Sequence, residues 1–179
     1  KAAVSAKESD IVATRASLEK DPREVFIHAP YCLNLCKPPG TEGDYFTRCT
    51  KDALDIASRA GLHGVVIHTG KCVKGSANTL EHMRENIITS LESATLQCPL
   101  LIEAPVGQGT EQLVSPEELG TFVSDIDDMR LGICIDTCHV FAAGYDPMEY
   151  WATLCQLECI QYVKLIHYND SAVLKGAHR

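Results

Sequence analysis

Five short apolar runs recur along the chain at intervals of roughly 30 to 40 residues, and this spacing constrains the fold more than any other feature. The runs are EVFIHA (24–29), GVVIH (64–68), PLLIEA (99–104), LGICID (131–136) and YVKLIHY (162–168). They are rich in Val, Ile and Leu, and they do not alternate apolar with polar residues. This pattern is typical of strands that are buried on both faces.

Helical patterns separate these runs. Ser115, Pro116 and Glu118 form a capping-box sequence, in which serine and glutamate side chains bond to backbone amides at a helix start. Asp146-Pro147 repeats the device, and Gly61 is a helix stop. The predicted helices cover residues 3–19, 44–61, 79–94, 115–126 and 146–157, and Asp21-Pro22 closes the first of them. Strands that alternate with helices predict βαβ units and a parallel sheet.

The unit length of this repeat fits a (β/α)8 TIM barrel, which typically needs about 250 residues. The 179 residues present suffice for about five βα units. We therefore expect residues 1–179 to be a single domain, the central part of a TIM barrel whose N-terminal and C-terminal strands are missing. A doubly wound open sheet is the alternative. A dinucleotide site has no support, because no G-x-G-x-x-G sequence follows the first strand.

Each predicted strand carries a potential metal ligand at or near its C-terminal end. A single histidine in such a position is most often a hydrogen-bonded structural residue. In a parallel barrel, however, all strand ends meet at one face, and a cluster of ionisable groups there is costly unless something binds them. A cation satisfies this requirement. The five residues are His28, His68, Glu103, Asp136 and His167.

The types of these residues narrow the choice of metal. A mixture of imidazole and carboxylate suits zinc, manganese or iron better than calcium or magnesium. Carboxylates also bridge neighbouring ions. Asp136 and His139 lie three residues apart, and we interpret them as a strand ligand followed by a loop ligand. The small residues 142–144 of that loop leave room for a substrate.

Two loops at the same rim are candidates for contacts with a phosphate or a base. PVGQGTEQ (105–112) contains Gly107, Gln108 and Gly109, and its glycines allow the backbone to approach a phosphate closely. An ordinary strand-to-helix connection is the alternative. In PYCLNLCKPPG (30–40), Tyr31 is a candidate stacking residue, and an exposed loop tyrosine is the alternative.

Composition limits the location and partners of the chain. The formal net charge is −8, so overall attraction to nucleic acid is not expected, and a local positive site such as bound metal would be needed. Nine cysteines without a C-x-x-C pair indicate free thiols in an intracellular compartment, cytoplasm or nucleus, of a cell or a virus-infected cell. The opening residues lack the apolar segment of a secretory signal, and without a run of about 18 apolar residues we expect no membrane-spanning helix.

Several blocks of the sequence match a known family. GICIDTCHVFAAGYD (132–146) closely resembles a signature of the endonuclease IV family, the metal-dependent apurinic/apyrimidinic endonucleases also called AP endonuclease family 2. HAPYCLNL (28–35), VIHTG (66–70), LIEAPVGQGTE (101–111) and KLIHYNDS (164–171) are similar to its other blocks, in the same order. The resemblance implies a (β/α)8 barrel that repairs DNA by hydrolysing the phosphodiester on the 5′ side of an abasic site.

The resemblance also implies a three-zinc cluster, with Mn²⁺ as a substitute. His28 and His68 would bind one ion, and Glu103 would bridge it to a second. Asp136 and His167 would hold that second ion. His139 would bind the third, whose other ligands belong to family blocks beyond Arg179.

Catalysis is then expected to depend on Glu103 and Asp136, and the partner is double-stranded DNA with abasic sites. Tyr31 matches a residue that enters DNA at the lesion, and Cys32 stands where the family usually has a larger apolar side chain. We expect a monomer that does not bind membranes. Two alternatives remain open: a metal-dependent barrel of the sugar isomerase or epimerase type, and a truncated barrel without catalytic activity.

Overall fold

A computed structural model describes residues 5–20, 23–72, 78–172 and 174–175. Its strands form one parallel sheet in chain order, so each strand pairs with the next one along the sequence. This is the half barrel that the spacing predicted; a doubly wound sheet would reverse its strand order instead. The strands are β1 (Ile27–His28), β2 (Val65–Ile67), β3 (Leu100–Glu103), β4 (Leu131–Asp136) and β5 (Val163–His167).

Helices connect the strands and pack on one face of the sheet. The capping box predicted at Ser115 is present: the Glu118 amide donates to the Ser115 hydroxyl at 3.1 Å. Gly61 ends the second helix with a φ of 74°, a left-handed conformation that favours glycine. The helices are α1 (Glu8–Leu18), α2 (Glu42–Ala60), α3 (Thr79–Ser90), α4 (Pro116–Ile126), α5 (Thr137–Ala142) and α6 (Pro147–Gln156), with 3₁₀ turns at Leu91–Ser93 and Ile160–Tyr162.

The two faces of the sheet bury different side chains. Ile67, Ile102 and Ile133 belong to the main core beneath the helices. The other face would line the interior of a closed barrel. On it, a small separate cluster is formed by Val66, Leu101 and Cys134, and Phe26 and Leu165 pack against this cluster. Side chains two residues apart on a strand point to the same face. His28, His68, Glu103, Asp136 and His167 each follow one of these inner residues by two positions, so they lie above the inner cluster at the rim.

Two local predictions were wrong. The first helix begins at Glu8 rather than near residue 3, and residues 1–4 and Asp21-Pro22 lie outside the described residues. Residues 137–142 form the short helix α5 rather than a loop, because the Asp136 side chain caps the amide of His139. Among the described helices, none combines the length and the apolar character that a bilayer span requires.

Candidate metal centre

Two buried carboxylates form the base of the site. Glu103 ends β3 and is 2% exposed, and Asp136 ends β4 and is 3% exposed. A buried carboxylate is unfavourable unless positive charge or hydrogen-bond donors surround it. Any partner must come from the neighbouring strand ends, because the floor beneath these carboxylates is the apolar inner cluster.

The Glu103 carboxylate is shared between two pairs of histidines. Its Oε2 atom lies 2.9 Å from Nε2 of His28 and 3.0 Å from Nε2 of His68. Its Oε1 atom lies 2.9 Å from Nδ1 of His167 and 3.6 Å from Nδ1 of His139. One oxygen therefore faces β1 and β2, and the other faces β4 and β5. This is the geometry of a carboxylate that can bridge two cations.

Four imidazoles surround the solvent-facing opening of the site: those of His28, His68, His139 and His167. Ring centroids are 5.1 Å apart for His28 and His68, 5.9 Å for His28 and His167, and 5.6 Å for His68 and His139. Their side chains are 19% to 42% exposed, against 2% for Glu103. The carboxylates are thus at the bottom and the imidazoles at the solvent-accessible edge.

Backbone carbonyls fix which nitrogen of two imidazoles carries the proton. Nδ1 of His28 lies 3.0 Å from the Ala29 carbonyl, and Nδ1 of His139 lies 3.2 Å from the Ala104 carbonyl. A carbonyl can only accept, so each Nδ1 is the donor. Nε2 of neutral His28 then presents a lone pair to Glu103. Two lone pairs at this distance require a proton or a cation between them, and this is the observation by which the residues fit a metal.

The pKa values of His28 and His68 are shifted in opposite directions by their surroundings. Burial lowers the pKa of His28, but the Ala29 carbonyl, the hydrogen bond to Glu103 and the negative charges of Glu103 and Asp136 outweigh burial and raise that pKa above its usual value. The pKa of His68 is lowered, mainly by burial, with repulsion from His28 and His139 opposing the attraction of Glu103. His68 is therefore neutral at pH 7 and suited to donate its lone pair to a metal.

Asp136 is held by hydrogen bonds on both oxygens. Oδ1 accepts from the His139 amide at 3.0 Å, which starts α5. Oδ2 accepts from Nδ2 of Asn169 at 2.6 Å and lies 3.6 Å from Nδ1 of His167. The same contacts place His139 above the carboxylates, so the strand end and the first turn of the helix deliver both groups together.

Within the part of the chain that the structure describes, the possible ligand atoms fall into three overlapping groups in which all donors lie within 4.8 Å of one another. All three groups include Glu103. Cys134 belongs to one of them, but burial and the nearby carboxylates raise the pKa of its thiol, which favours its role as an apolar filler of the inner cluster. The groups are His28, His68 and Glu103; Glu103, Cys134 and His167; and Glu103, Asp136 and His139.

The residues expected to contact DNA lie in two loops beside the site. Tyr31 is 64% exposed, and its ring meets that of His68 edge-on at 5.2 Å. Cys32 is also exposed. In the glycine loop, the amides of Gly107 and Gln108 donate to Oε2 of Glu111, at 3.0 and 2.8 Å, so a carboxylate of the chain bonds to two of the amides expected to approach a phosphate.

A close backbone contact anchors the loop that carries Tyr31. The Leu35 amide donates to the Thr69 carbonyl at 2.9 Å, and Nδ2 of Asn34 donates to the Lys71 carbonyl at 3.0 Å. Gly70 lies between these bonds with a φ of 93°, and a Cβ atom there would be 2.6 Å from the Cα of Asn34. Only glycine allows this approach, which fixes the loop after β1 against the loop after β2.

Three residues that shape the site were not among those predicted from the sequence: Thr137, Asn169 and Glu111. For Asn169 a signal was present, because it lies two positions after His167 and extended residues two apart face the same side. For Glu111 none was, because its partners are backbone amides.

The chain is similar in sequence to a known family and to named relatives. A family model described as a xylose isomerase-like TIM barrel matches residues 2–179. The chain belongs to this family. Two curated relatives are each named "Probable endonuclease 4": one from Mesomycoplasma hyopneumoniae strain 7448, 32% identical over 166 residues, and one from Symbiobacterium thermophilum, 35% identical over 158 residues. These alignments cover 88% and 85% of this chain but 58% and 57% of the relatives, so the chain spans little more than half their length.

Solved structures confirm the fold and the resemblance to endonuclease IV. Endonuclease IV from Thermus thermophilus superposes with a TM-score of 0.82 at 28% identity, over 98% of this chain and 64% of that one. A D-tagatose 3-epimerase-like protein superposes with a TM-score of 0.75 at 20% identity, over 96% of this chain and 66% of that one. The second likeness shows the shared barrel fold alone.

Proposed function

We propose that the chain is the metal-binding part of a DNA repair endonuclease, which hydrolyses the phosphodiester on the 5′ side of an abasic site. The observation that carries this proposal is the Glu103 carboxylate, which faces one pair of histidines with each oxygen. The relatives named endonuclease 4 support the reaction class.

The residues that would hold zinc divide between the two oxygens of Glu103. His28 and His68 would serve one ion on the Oε2 side, with Glu103 as the bridge. Asp136 and His167 would complete a second on the Oε1 side, and His139 would contribute to a third. When bound, such ions lower the pKa of water and neutralise the charge on a phosphate. Full occupancy needs ligands beyond those described, which the remaining strands of a complete barrel would supply.

The residues of the chain position the reacting groups. Glu103 and Asp136 lie at the base of the site and would fix the place of the attacking water. The Ala29 carbonyl holds the ring of His28, and the Ala104 carbonyl holds that of His139, so both imidazoles keep one orientation. This preorganisation reduces the rearrangement required when a phosphate enters.

DNA would be recognised by the loops at the rim. An abasic nucleotide has no base to unstack, so turning it out of the helix costs less than for an intact nucleotide. Tyr31 and Cys32 would enter the duplex at the lesion. Gly107, Gln108 and Gly109 would line the phosphate path once the Glu111 carboxylate releases the amides of Gly107 and Gln108. Bound metal would supply the positive charge that a net charge of −8 does not. Monomeric state and intracellular location are part of the same proposal.

The deciding experiment is incision of a duplex that contains one abasic site, by the full-length protein with zinc and with a chelator. We expect cleavage 5′ of the lesion, loss of cleavage with chelator, and three zinc ions per molecule. One or two manganese ions with epimerisation of a ketose and no incision would identify a sugar epimerase instead. A metal-loaded protein without either activity would overturn the enzyme proposal.

A further inference from the structure

We propose that Asn169 is a positioning residue that holds Asp136 in place for a metal ion, with Thr137 as the latch that holds Asn169. This inference rests on the proposed metal centre and adds a residue to it. Asn169 follows β5 by two positions and reaches across to the end of β4. The contact therefore joins two strands at the rim.

The hydrogen bond from Asn169 to Asp136 helps to keep the Asp136 carboxylate in one orientation. Nδ2 of Asn169 donates to Oδ2 at 2.6 Å, and the His139 amide donates to Oδ1 at 3.0 Å. A carboxylate has about four lone-pair positions, so each oxygen keeps one free. Oδ2 also lies 3.6 Å from Nδ1 of His167, a residue expected to share a metal ion with Asp136.

Burial does not hold Asn169 beside Asp136, because Asn169 is exposed whereas the Asp136 carboxylate is buried. Its backbone is fixed instead. The Thr137 hydroxyl donates to the Asn169 carbonyl at 2.6 Å and accepts from the Asn169 amide at 2.9 Å. Both atoms belong to the backbone, so replacing the side chain of Asn169 leaves the latch intact. Side chain and latch can be tested separately.

The arrangement assigns a specific role to the amide. Without it, Asp136 would keep only the bond to the His139 amide and could rotate its Oδ2 away from His167. Outer hydrogen bonds of this kind typically change metal affinity by about 10- to 100-fold. The ion affected would be the one that Asp136 and His167 are proposed to hold with Glu103, whereas His28 and His68 lie beside the other oxygen of Glu103.

The test is zinc competition with a chromophoric chelator on the full-length protein and on Asn169→Ala. We expect one zinc to be bound about 10- to 100-fold more weakly by the variant, with kcat reduced and KM for abasic DNA nearly unchanged. Thr137→Val should shift affinity in the same direction by less, and Thr137→Ser, which keeps the hydroxyl, should restore it. Asp170→Asn, on the same loop but outside these contacts, is the matched control.

Thermal unfolding in a chelator separates positioning from folding. We expect Asn169→Ala and the wild type to unfold within a few degrees of each other without metal. Zinc affinity equal to that of the wild type would overturn the inference, as would a large loss of metal-free stability. If the wild type binds zinc but does not incise DNA, the proposed function is overturned. The ratio of zinc affinities between the wild type and Asn169→Ala still tests the role of Asn169 in that case. If the wild type binds no zinc, both are overturned.

Discussion

Oε1 of Glu103 lies 2.9 Å from Nδ1 of His167, although 64 residues separate them in the chain. The contact forms because β3 and β5 flank β4, whose end supplies Asp136. A short distance between a buried carboxylate and an imidazole defines a place for positive charge. Whether a proton or a metal ion occupies that place determines how the site behaves.

Glu103→Gln should abolish incision while it spares the fold. The amide keeps the shape of the side chain but removes the charge that both histidine pairs face. Since outer hydrogen bonds alone change activity by about 10- to 100-fold, loss of a bridging ligand should exceed about 100-fold. In the metal-free variant, the pKa of His28 should also fall, because Glu103 contributes to raising it. Incision rates and an NMR titration check both points, and normal incision would show that Glu103 is not a bridge.

Removal of metal should lower the thermal stability of the protein. The candidate ligands are assembled only in the folded chain, so a metal ion held by them would bind the native state in preference to the unfolded one. At a free concentration about 100 times its dissociation constant, one ion adds about 2.7 kcal/mol, which for a domain of this size is about 5 to 10 °C in Tm. Scanning calorimetry with and without a chelator measures the difference. Identical curves would argue against a metal centre.

Tyr31→Ala should weaken binding of abasic DNA without changing the zinc content. An exposed ring that stacks on a nucleic acid contributes about 1 to 3 kcal/mol, or roughly 5- to 150-fold in affinity. Tyr31→Phe keeps the ring and its edge-on contact with His68, so it should retain most of the affinity. Fluorescence anisotropy with a labelled duplex distinguishes the variants. Equal binding by all three proteins would remove Tyr31 from the DNA interface.

Gly70→Ala should destabilise the protein more than Gly40→Ala. Both glycines have positive φ, 93° and 78°, so each substitution carries a backbone cost of about 1 to 2 kcal/mol. A Cβ at Gly40 meets no atom within 4 Å, whereas at Gly70 it lies 2.6 Å from the Cα of Asn34. Chemical denaturation measures both. We expect Gly70→Ala to exceed its control by at least about 1 kcal/mol, and equal losses would mean that the two loops separate easily.

Asp128→Asn should lower stability at neutral pH but not in acid. Hydrogen bonds from Arg130 lower the pKa of Asp128 below its ordinary value of 3.8. A carboxyl group with a depressed folded-state pKa stabilises the protein above its unfolded pKa, and this stabilisation is lost as the pH falls through the folded value. Because the pair is partly exposed, we expect less than about 1 kcal/mol at pH 7. A difference that stays constant from pH 7 to pH 2 would contradict this assignment.

The sequence was sufficient for the features that depend on periodicity. Buried parallel strands repeat at regular spacing, so the positions of Glu103 and Asp136 at the rim followed from where the apolar runs end. The caps at Ser115 and Asp146 followed from local rules that involve only a few neighbouring residues. These are interactions that a short window of sequence contains.

The features that were missed are contacts whose geometry the residue pattern does not specify, whether the partners are near or distant in the chain. His139 was expected on a loop, and it lies on α5 because Asp136 caps its amide. Glu111 accepts hydrogen bonds from the amides of Gly107 and Gln108, and no pattern of side chains in the sequence predicts these bonds. The Asn169 contact with Asp136 requires β4 and β5 to be paired in a known register before it can be drawn.

Because the strands are ordered as they are in the chain, the metal-site donors emerge from the ribosome in the same order in which they stand around the rim. His28, His68 and Glu103 are present before β4 has been synthesised. The Oε2 side of Glu103 therefore has both of its histidines before β4 exists, whereas the Oε1 side gains His139 with α5 and His167 only with β5.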